Sequence, residues 1–424
     1  MKKWVFVIGV LFSSQVSAQE ILEELNLVFP DRILTLNFEA QPELLIQAPH
    51  HFLVLGETRV PIDLQGDLVQ ENEFLKLETK FVTEISPENL HEFLKGSSIL
   101  RDENFRKTVE IFLDEEGEIL FEGKPRNGFE VEEENLVSLI NEAFLSAKNY
   151  VRVPAQKVFS EVVVHPDLKE RGIQEIIAIG ESNFAGSSEA RRQNIIAGAQ
   201  KFNGVVVNKG RTFSFNNILE SVTEDDGFVK ELVIKGNKTE KELGGGVCQV
   251  STTAFRAAFS GGFPIPSRRN HSYAVPYYKP YGLDAAIYIG ALDLRFNNDT
   301  AGDILIQTFT EGDNLFFVFY GTDDGRKVSL EGPFISNYKQ APEAIVYETE
   351  DLPLGEIEEI GASHDGFRAE WVRRVEKDGN LNVATFASDY RPWAARQRVG
   401  TKVSMESPEG RFILLVSGGL VSLP

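Results

Sequence analysis

The sequence of 424 residues has one cysteine, Cys248, and therefore no partner for an intramolecular disulfide. It also lacks an excess of positive charge, because 43 Lys and Arg stand against 64 Asp and Glu, a formal net charge of -21. Nucleic acid and anionic membrane surfaces are unfavourable partners for such a chain, since its overall field repels polyanions. We therefore expect no nucleic-acid partner, and any anionic polymer must be held by local groups.

Long apolar runs are scarce as well. The N-terminal apolar run, residues 4–12, has nine residues, whereas a membrane-spanning helix needs about 20. Lys2-Lys3, this run and the small residues Val16-Ser17-Ala18 are typical of a cleaved export signal over residues 1–18. The residue directly after the cleavage position is Gln19 and not a cysteine, which argues against a lipid anchor. We expect an exported protein of the periplasm, the cell wall or the extracellular space, with no transmembrane anchor.

Apolar periodicity and turn signals predict an α+β protein of several domains. The predicted parts are a β-rich segment over 19–85, a compact α+β domain over 86–166, a mixed α/β domain over 179–325 and a β-rich C-terminal segment over 340–424.

Local signals predict particular elements within these parts. Ser86 followed by Pro87 predicts a helix start, because serine caps a helix and proline fits its first position. Asp378-Gly379 predicts the turn of a hairpin. Proline and acidic residues beyond Lys327 predict a linker. The other expectations are a hairpin over 108–123, helices over 132–147 and 188–202, and a strand over 274–278.

Cys248 follows the glycine triplet 244–246 after a single residue, Val247, and begins a pattern of helical period that Gly261-Gly262 ends. In the first turn of a helix, free N–H groups and the positive end of the dipole stabilise an anion, so the pKa of the thiol should fall. The same N–H groups could hold the oxyanion of a tetrahedral intermediate. The alternative is a core cysteine, because Cys248, Thr252 and Phe255 recur at helical spacing. Export and the glycine triplet favour a nucleophile.

A nucleophilic thiol needs a base, and His271 is the strongest candidate among the six histidines. It lies 23 residues after Cys248, so a helix followed by a return strand could bring it back to the helix start. Asp284 is the candidate for the third group, which orients the imidazole. The alternatives are a surface histidine and a turn aspartate. One cysteine and scattered histidines give no metal-ligand spacing, so we expect no metal and no cofactor.

Substrate contacts are predicted around the same residues. Glycine backbones can approach a ligand closely, side chains on the first turn after Cys248 project from its side of the helix, and an arginine near His271 could bind a carboxylate. The predicted substrate-binding residues are Gly245, Gly246, Gln249, Ser251, Thr252, Arg269 and Ser272.

At these residues the chain closely resembles the VanW-like family of cell-envelope proteins. The resemblance is carried by motifs over 184–188, 212–216, 244–253, 271–273 and 292–298, in the same order along the chain. Upstream, residues 88–164 resemble the peptidoglycan-binding type of domain that often precedes such a domain.

The resemblance implies a function. Some VanW-like domains act as L,D-transpeptidases, which use a cysteine to join peptidoglycan stem peptides; Cys248 would then be the nucleophile and His271 the base. The family often has a second histidine two positions earlier, where this chain has Arg269, so any role of that histidine is absent. Two alternatives remain open. One is a cysteine peptidase with the same dyad, and the other is a non-catalytic peptidoglycan-binding module associated with vancomycin-type resistance systems.

Overall fold

The computed structural model describes residues 22–29, 33–55, 58–62, 76–97, 100, 108–125, 127–146, 148–235, 238–402, 413–416 and 419–422. The predicted export signal over 1–18 lies outside these residues. The chain forms two compact units, the first comprising Met1–Arg106 and Arg126–Ser160 and the second Lys107–Pro125 and Glu161–Pro424. None of the helices among the described residues is long and apolar enough to cross a membrane.

The fold is α+β with several small sheets, as predicted. Up to residue 164 the elements in chain order are β1 (Glu24–Val28), β2 (Ile33–Asn37), β3 (Leu45–Leu55), β4 (Thr58–Ile62), β5 (Lys76–Ile85), α1 (Pro87–Gly96), β6 (Val109–Leu113), β7 (Ile119–Glu122), β8 (Asn127–Val131), α2 (Glu133–Ser146), β9 (Tyr150–Arg152), β10 (Ala155–Phe159) and β11 (Val162–Val164).

The first unit contains the sheets β2-β1-β9, β4-β3-β5 and β10-β8 together with α1 and α2. Its core is a cluster in which Leu25 and Leu27 of β1 pack with Leu90 of α1 and Ile140 of α2, all fully buried. The helix start predicted at Ser86 is confirmed, because the Ser86 side chain accepts a hydrogen bond from the N–H of Asn89. The predicted helix over 132–147 is confirmed as α2.

The second unit begins with the hairpin β6–β7, which confirms the prediction over 108–123. From residue 166 its elements are α3 (Pro166–Glu170), β12 (Glu175–Asn183), α4 (Glu189–Gln200), β13 (Val206–Val207), β14 (Thr212–Ser214), α5 (Phe215–Leu219), β15 (Lys230–Lys235), β16 (Lys238–Leu243), α6 (Val247–Ser260), β17 (Arg295–Asn297), β18 (Ile304–Glu311), β19 (Asn314–Gly321), β20 (Lys327–Lys339), β21 (Ile345–Pro353), β22 (Ile357–Gly361), β23 (Gly366–Lys377), β24 (Asn380–Tyr390), β25 (Arg396–Lys402), β26 (Ile413–Val416) and β27 (Gly419–Ser422).

The centre of this unit is α6, which packs against the antiparallel sheet β12-β19-β18-β13. Gly180 of β12 permits the close approach, because a Cβ there would lie 2.3 Å from the carbonyl oxygen of Thr253 in α6. One face of α6 is therefore locked against the sheet, with Val250, Ala254 and Ala257 fully buried. The predicted helices at 188–202 and after residue 246 are confirmed as α4 and α6.

The C-terminal part of the unit consists of the sheets β20-β23-β24 and β21-β25-β22. The hairpin predicted around Asp378-Gly379 is confirmed, since β23 and β24 pair from Phe367↔Tyr390 to Lys377↔Asn380. The predicted linker beyond Lys327 is wrong, because β20 and β21 occupy that stretch. Proline is accommodated there at a register shift of β20, between Glu331 and Phe334, and at the end of β21.

The strand predicted over 274–278 is also wrong. The chain makes a short 3-10 turn there, Pro276–Tyr278, within an irregular connection between α6 and β17. Side-chain hydrogen bonds hold this connection, rather than the backbone pairing of a β-ladder. Arg256 of α6 donates hydrogen bonds to the carbonyl oxygens of Tyr278, Lys279 and Leu283, at 2.9, 3.0 and 3.0 Å. Carbonyl groups that a strand partner would satisfy are therefore bound by one partly buried guanidinium.

Candidate active site

Cys248 is the second residue of α6, and it differs from the rest of its helical stripe. Thr252, Phe255 and Phe259 are 0, 0 and 1% exposed, whereas Cys248 is partly exposed. The thiol lies 3.9 Å from the carbonyl oxygen of Ile287. The accessible end of the stripe is thus the end that carries the sulfur, at the positive end of the helix dipole.

The glycine triplet before Cys248 is fixed by its conformation and by one amide. Gly246 caps α6 with a φ of 122°, a value that a side chain would strain. Asn194 of α4 donates hydrogen bonds to the carbonyl oxygens of Gly245 and Val229, at 2.9 and 3.0 Å, and accepts one from the N–H of Val229 at 2.8 Å. The turn that delivers Cys248 is therefore fastened to α4 and to the chain before β15.

His271 and Asp284 form the second part of the site. Nδ1 of His271 lies 2.5 Å from Oδ2 of Asp284, and the same oxygen accepts the backbone N–H of His271 at 2.7 Å. Both side chains are buried, at 6 and 0% exposure. Nε2 of His271 is buried and has no hydrogen-bond partner among the described residues. The carboxylate fixes the ring and assigns the Nδ1 proton, which leaves Nε2 for another group.

The other oxygen of Asp284 is held by groups distant in sequence. Oδ1 accepts a hydrogen bond from the Tyr390 hydroxyl at 2.5 Å and from Nη2 of Arg268 at 3.2 Å. Arg268 also donates to the Ser388 hydroxyl at 2.9 Å, and its guanidinium lies 5.0 Å from the centre of the Phe255 ring. Arg268 is thus the counterion of the buried Asp284 carboxylate.

The charges of the site favour a thiolate and an imidazolium. Burial raises the pKa of the Cys248 thiol, but His271, the backbone of Ile287 and the charge of Arg191 outweigh it, so the net pKa is lowered. Burial likewise opposes the imidazolium, yet Asp284 and Cys248 together raise the pKa of His271 to about 9. Burial would raise the pKa of Asp284, but His271 and then Arg268 hold it well below its usual range.

The structure therefore brings together the three residues predicted as catalytic, Cys248, His271 and Asp284. An aromatic ring packs over the imidazole, because the Tyr278 ring lies 4.7 Å from the His271 ring, centre to centre. Burial is the largest cause that raises the pKa of Tyr278, which keeps this phenol neutral. The order of thiol, imidazole and carboxylate is the one that a cysteine nucleophile with a base and an orienting group would need.

Three predicted substrate-binding side chains are completely buried: Gln249, Ser251 and Thr252 are 0% exposed. Ser251 donates to the carbonyl oxygen of Ala285 at 2.6 Å, and Thr252 accepts the N–H of Ala285 at 3.1 Å. The Gln249 amide donates to Ser182 at 2.8 Å. These contacts fix the chain beside Asp284 and the strand β12. The role of the three buried side chains in substrate binding stays a prediction.

The other predicted substrate-binding residues surround the dyad without reaching into it. Gly245 and Gly246 are buried in the turn before Cys248, Arg269 is exposed, and Ser272 is partly buried. The carbonyl oxygen of Arg269 accepts the N–H of Ala286, and that of Ser272 accepts the N–H of Arg391, both at 2.7 Å. Their role in substrate binding stays a prediction.

Two residues of the site were missed from the sequence. Arg191, the third residue of α4, faces the dyad, and its charge acts on Cys248. Tyr390, at the end of β24, binds Asp284. An acid in the first turn of α4 gave a signal for a helix start, but nothing local indicated which residue of that helix meets the thiol. Among the described residues no group of three or more metal-ligating side chains could hold a metal ion.

Residues 190–320 match the protein family described as "VanW like protein". This segment, which contains Cys248, His271 and Asp284, is therefore VanW-like. It leaves out Tyr390 and Ser388 of β24.

Two curated proteins are similar to the chain. The "Uncharacterized protein YoaR" of Bacillus subtilis is 33% identical over 167 residues, 39% of this chain and 53% of its own length. The "Vancomycin B-type resistance protein VanW" of Enterococcus faecalis is 30% identical over 111 residues, 25% of this chain and 40% of its own. The chain thus spans about half the length, or less, of these relatives.

One solved structure was matched, the "IgA1 Protease G5 domain structure", which covers 18% of this chain and 94% of its own length. The identity is 17% and the TM-score 0.13. These values are too low to establish a shared fold.

Proposed function

We propose that the protein is an exported cysteine acyltransferase of the cell wall, an L,D-transpeptidase that acts on peptidoglycan stem peptides through Cys248. The observation that carries the proposal is the Nε2 atom of His271, which is buried and has no partner other than the Cys248 thiol, whose pKa the His271 ring lowers. Proton exchange with Cys248 and a substrate amine gives that nitrogen a use.

The first half of the reaction forms a thioester. The Cys248 thiolate attacks the carbonyl carbon that joins the third residue of a stem tetrapeptide to its terminal D-alanine. The tetrahedral intermediate collapses when the C–N bond breaks, and the His271 imidazolium gives its proton to the leaving amine. Free D-alanine departs, and neutral imidazole remains beside the thioester.

The second half restores the dyad. The side-chain amine of another stem peptide attacks the thioester and gives a proton to His271, and the C–S bond breaks as the new amide forms. Cys248 is again a thiolate and His271 again an imidazolium, so the cycle balances without a further reagent. Water in place of the amine would make the enzyme a carboxypeptidase.

The start of α6 supplies the donor that the tetrahedral intermediate needs. The N–H of Val247 donates to the carbonyl oxygen of Gly244 at 3.0 Å, and that of Gln249 donates to Gly246 at 2.8 Å. Neither the backbone nor the side-chain hydrogen bonds of the described residues use the N–H of Cys248 itself. An N–H at a helix start beside the nucleophile suits the developing oxyanion.

The substrate and the location rest on the sequence. The VanW-like segment and the similarity to a protein named for vancomycin B-type resistance support a role in the cell envelope. The signal-like residues 1–18 support export to the periplasm, the wall or the extracellular space. The net charge of -21 does not oppose a peptide substrate that local groups hold.

The test is a product assay with the mature protein. Muropeptides that carry tetrapeptide stems are incubated with the protein and analysed by mass for a crosslinked dimer, a thioester adduct and free D-alanine. The expected result is a dimer with the parent and no product with Cys248→Ala. His91→Ala is the matched control for His271→Ala in this assay, since His91 lies on α1 and bonds Glu133 on the surface.

A Cys248→Ala variant that forms product like the parent would end the proposal of catalysis. Thiol labelling of the folded protein at neutral pH separates the non-catalytic alternative. Fast alkylation supports a poised thiolate, while labelling only after denaturation supports a peptidoglycan-binding module in which Cys248 is a packed residue.

A further inference from the structure

Arg191 is held on three sides at the edge of the site. Its Nη2 donates to Oε1 of Gln249 at 2.8 Å, and its Nε donates to the Ser187 hydroxyl at 3.1 Å. Its guanidinium carbon lies 4.5 Å from the centre of the Tyr277 ring. Gln249 follows Cys248 and is itself fixed to Ser182 at 2.8 Å. The guanidinium is therefore positioned beside the nucleophile by neutral groups.

No carboxylate lies within ion-pair distance of Arg191 in the part of the chain that the structure describes. The neighbouring Arg192 bonds to Asp313, and Arg268 bonds to Asp284. Arg191 is partly buried, and an anionic partner would offset the cost of desolvating its charge. Its hydrogen bonds go instead to neutral groups, although the chain has 64 acidic residues against 43 basic ones.

The charge of Arg191 extends over the site. Burial raises the pKa of Tyr273 and of Tyr278, and Arg191 acts in the opposite direction on both. It also helps to lower the pKa of the Cys248 thiol. The guanidinium therefore lies close enough to the thiol and to the two phenols for its charge to act on all three.

We infer that Arg191 is a carboxylate-binding residue, and that the acyl donor carries a carboxylate next to the bond that Cys248 attacks. This deepens the proposed function and rests on it. Gln249 and Ser187 use two of the five N–H bonds of the guanidinium, and the Tyr278 hydroxyl is a further hydrogen-bond partner. The remaining N–H bonds can form the paired contact that arginine makes with carboxylates. The terminal carboxylate of a leaving D-amino acid has this chemistry.

Alkylation of the mature protein with iodoacetate and with iodoacetamide tests the assignment without any cell-wall substrate. Both reagents transfer a carbon to the Cys248 thiolate and release iodide, and they differ in the carboxylate of iodoacetate. The measured quantity is the ratio of the two rate constants, normalised to the same ratio for N-acetylcysteine. We expect the parent to favour iodoacetate, and Arg191→Gln to lower the ratio roughly tenfold or more, the value of a hydrogen bond to a charged group.

Two variants control for charge and folding. Arg211→Gln removes an equal charge from an exposed arginine and should keep the parent ratio. Arg191→Lys keeps the charge but lacks the planar fork, so it should retain only part of the preference. The thermal midpoint of each variant is recorded, and the Lys variant decides the question if the Gln variant does not fold.

The outcomes separate this inference from the proposed function. Fast labelling by both reagents with a ratio that Arg191→Gln leaves unchanged overturns the carboxylate site and leaves the nucleophile standing. If neither reagent alkylates Cys248 in the folded parent, both the reactive thiolate and the carboxylate site are overturned.

Discussion

Two regions of the second unit meet at Asp284, and they contribute different things. The VanW-like segment supplies the groups that face the sulfur, with His271 bound to Oδ2 of Asp284. The hairpin β23–β24, beyond that segment, supplies Tyr390, which binds only Oδ1 of the same carboxylate. One carboxylate oxygen thus serves the imidazole, and the other is shared by Arg268 and the hairpin.

The difference shows which residues of such a site have a local sequence pattern and which do not. The proposed nucleophile comes with a recognisable local sequence, because a glycine turn and a helix start can present a thiolate. The groups that hold the carboxylate need only reach it, so they can come from any element that packs nearby. We therefore expect substitutions at the dyad to lower the reaction rate strongly, and substitutions in the hairpin to lower the free energy of unfolding by a small amount.

The largest effect is expected for His271→Ala, which removes the group that faces the sulfur. The rate of dimer formation from muropeptides should fall by about 10²–10⁴-fold, or about 3–5 kcal/mol of barrier, because a general acid–base group is lost. The pH dependence of iodoacetamide labelling gives a second readout. The parent should label at a pH below that of an ordinary thiol, because the imidazolium lowers the pKa of Cys248.

The sign of the pH effect follows from the remaining causes. Without the imidazolium, burial still raises the pKa of Cys248, so the labelling profile of His271→Ala should move to higher pH. In the parent the ion pair should weaken as the pH rises through about 9, the pKa of His271. His91→Ala should keep the parent profile. A profile that His271→Ala does not move would show that ring and thiol are not coupled.

Asp284→Asn removes the point at which the two regions meet. It leaves the buried Arg268 without its counterion and His271 without its acceptor, and breaking a buried pair costs about 3–5 kcal/mol. The measurement is the free energy of unfolding in urea at neutral pH. Asp389→Asn is the matched control, because Asp389 pairs with Arg368 at the surface and exposed pairs contribute about 0–1 kcal/mol. Equal losses in the two variants would contradict the assignment.

The elements that could be predicted from the sequence are those that depend on short-range interactions. Ser86 with Pro87, and Asp378 with Gly379, fix a helix start and a turn whatever surrounds them. The start of α6 belongs to this class, because three consecutive glycines cannot continue a helix at low cost. From the helix start and the spacing of His271, the dyad itself could be proposed.

The remainder depends on tertiary contacts that leave no local pattern. The stretch 274–278 alternates like a strand, but the partly buried Arg256 binds the carbonyl oxygens of this connection, and no ladder forms. Ser251 projects from the side of α6 that carries Cys248, yet the chain at Ala285 covers it. Tyr390 lies 106 residues from Asp284, and no spacing rule joins two such positions.

Tyr390→Phe tests the contribution of the hairpin to the carboxylate. The variant loses the hydroxyl that donates to Asp284 and accepts the N–H of Gly282 at 2.8 Å. Partners left unsatisfied in a buried place cost about 1–3 kcal/mol, which urea unfolding would measure. Tyr338→Phe is the control, since Tyr338 is exposed and bonds to Asp365 at the surface. A loss no larger than that of the control would mean that the hairpin does not support the site.

The smallest effect is expected for Ser388→Ala, which separates the two roles of the hairpin. Ser388 is fully buried; its hydroxyl accepts from Arg268 at 2.9 Å and donates to the carbonyl oxygen of Gly282 at 3.2 Å. Arg268 retains its bonds to Asp284 and Gly282, so the loss should be about 0.5–1.5 kcal/mol of unfolding free energy. The labelling profile of Cys248 should stay at the parent position, because Ser388 does not touch the carboxylate. A shift of that profile away from the parent position would mean that the hairpin acts on the dyad through the arginine as well, and that the two oxygens of Asp284 are not independently supported.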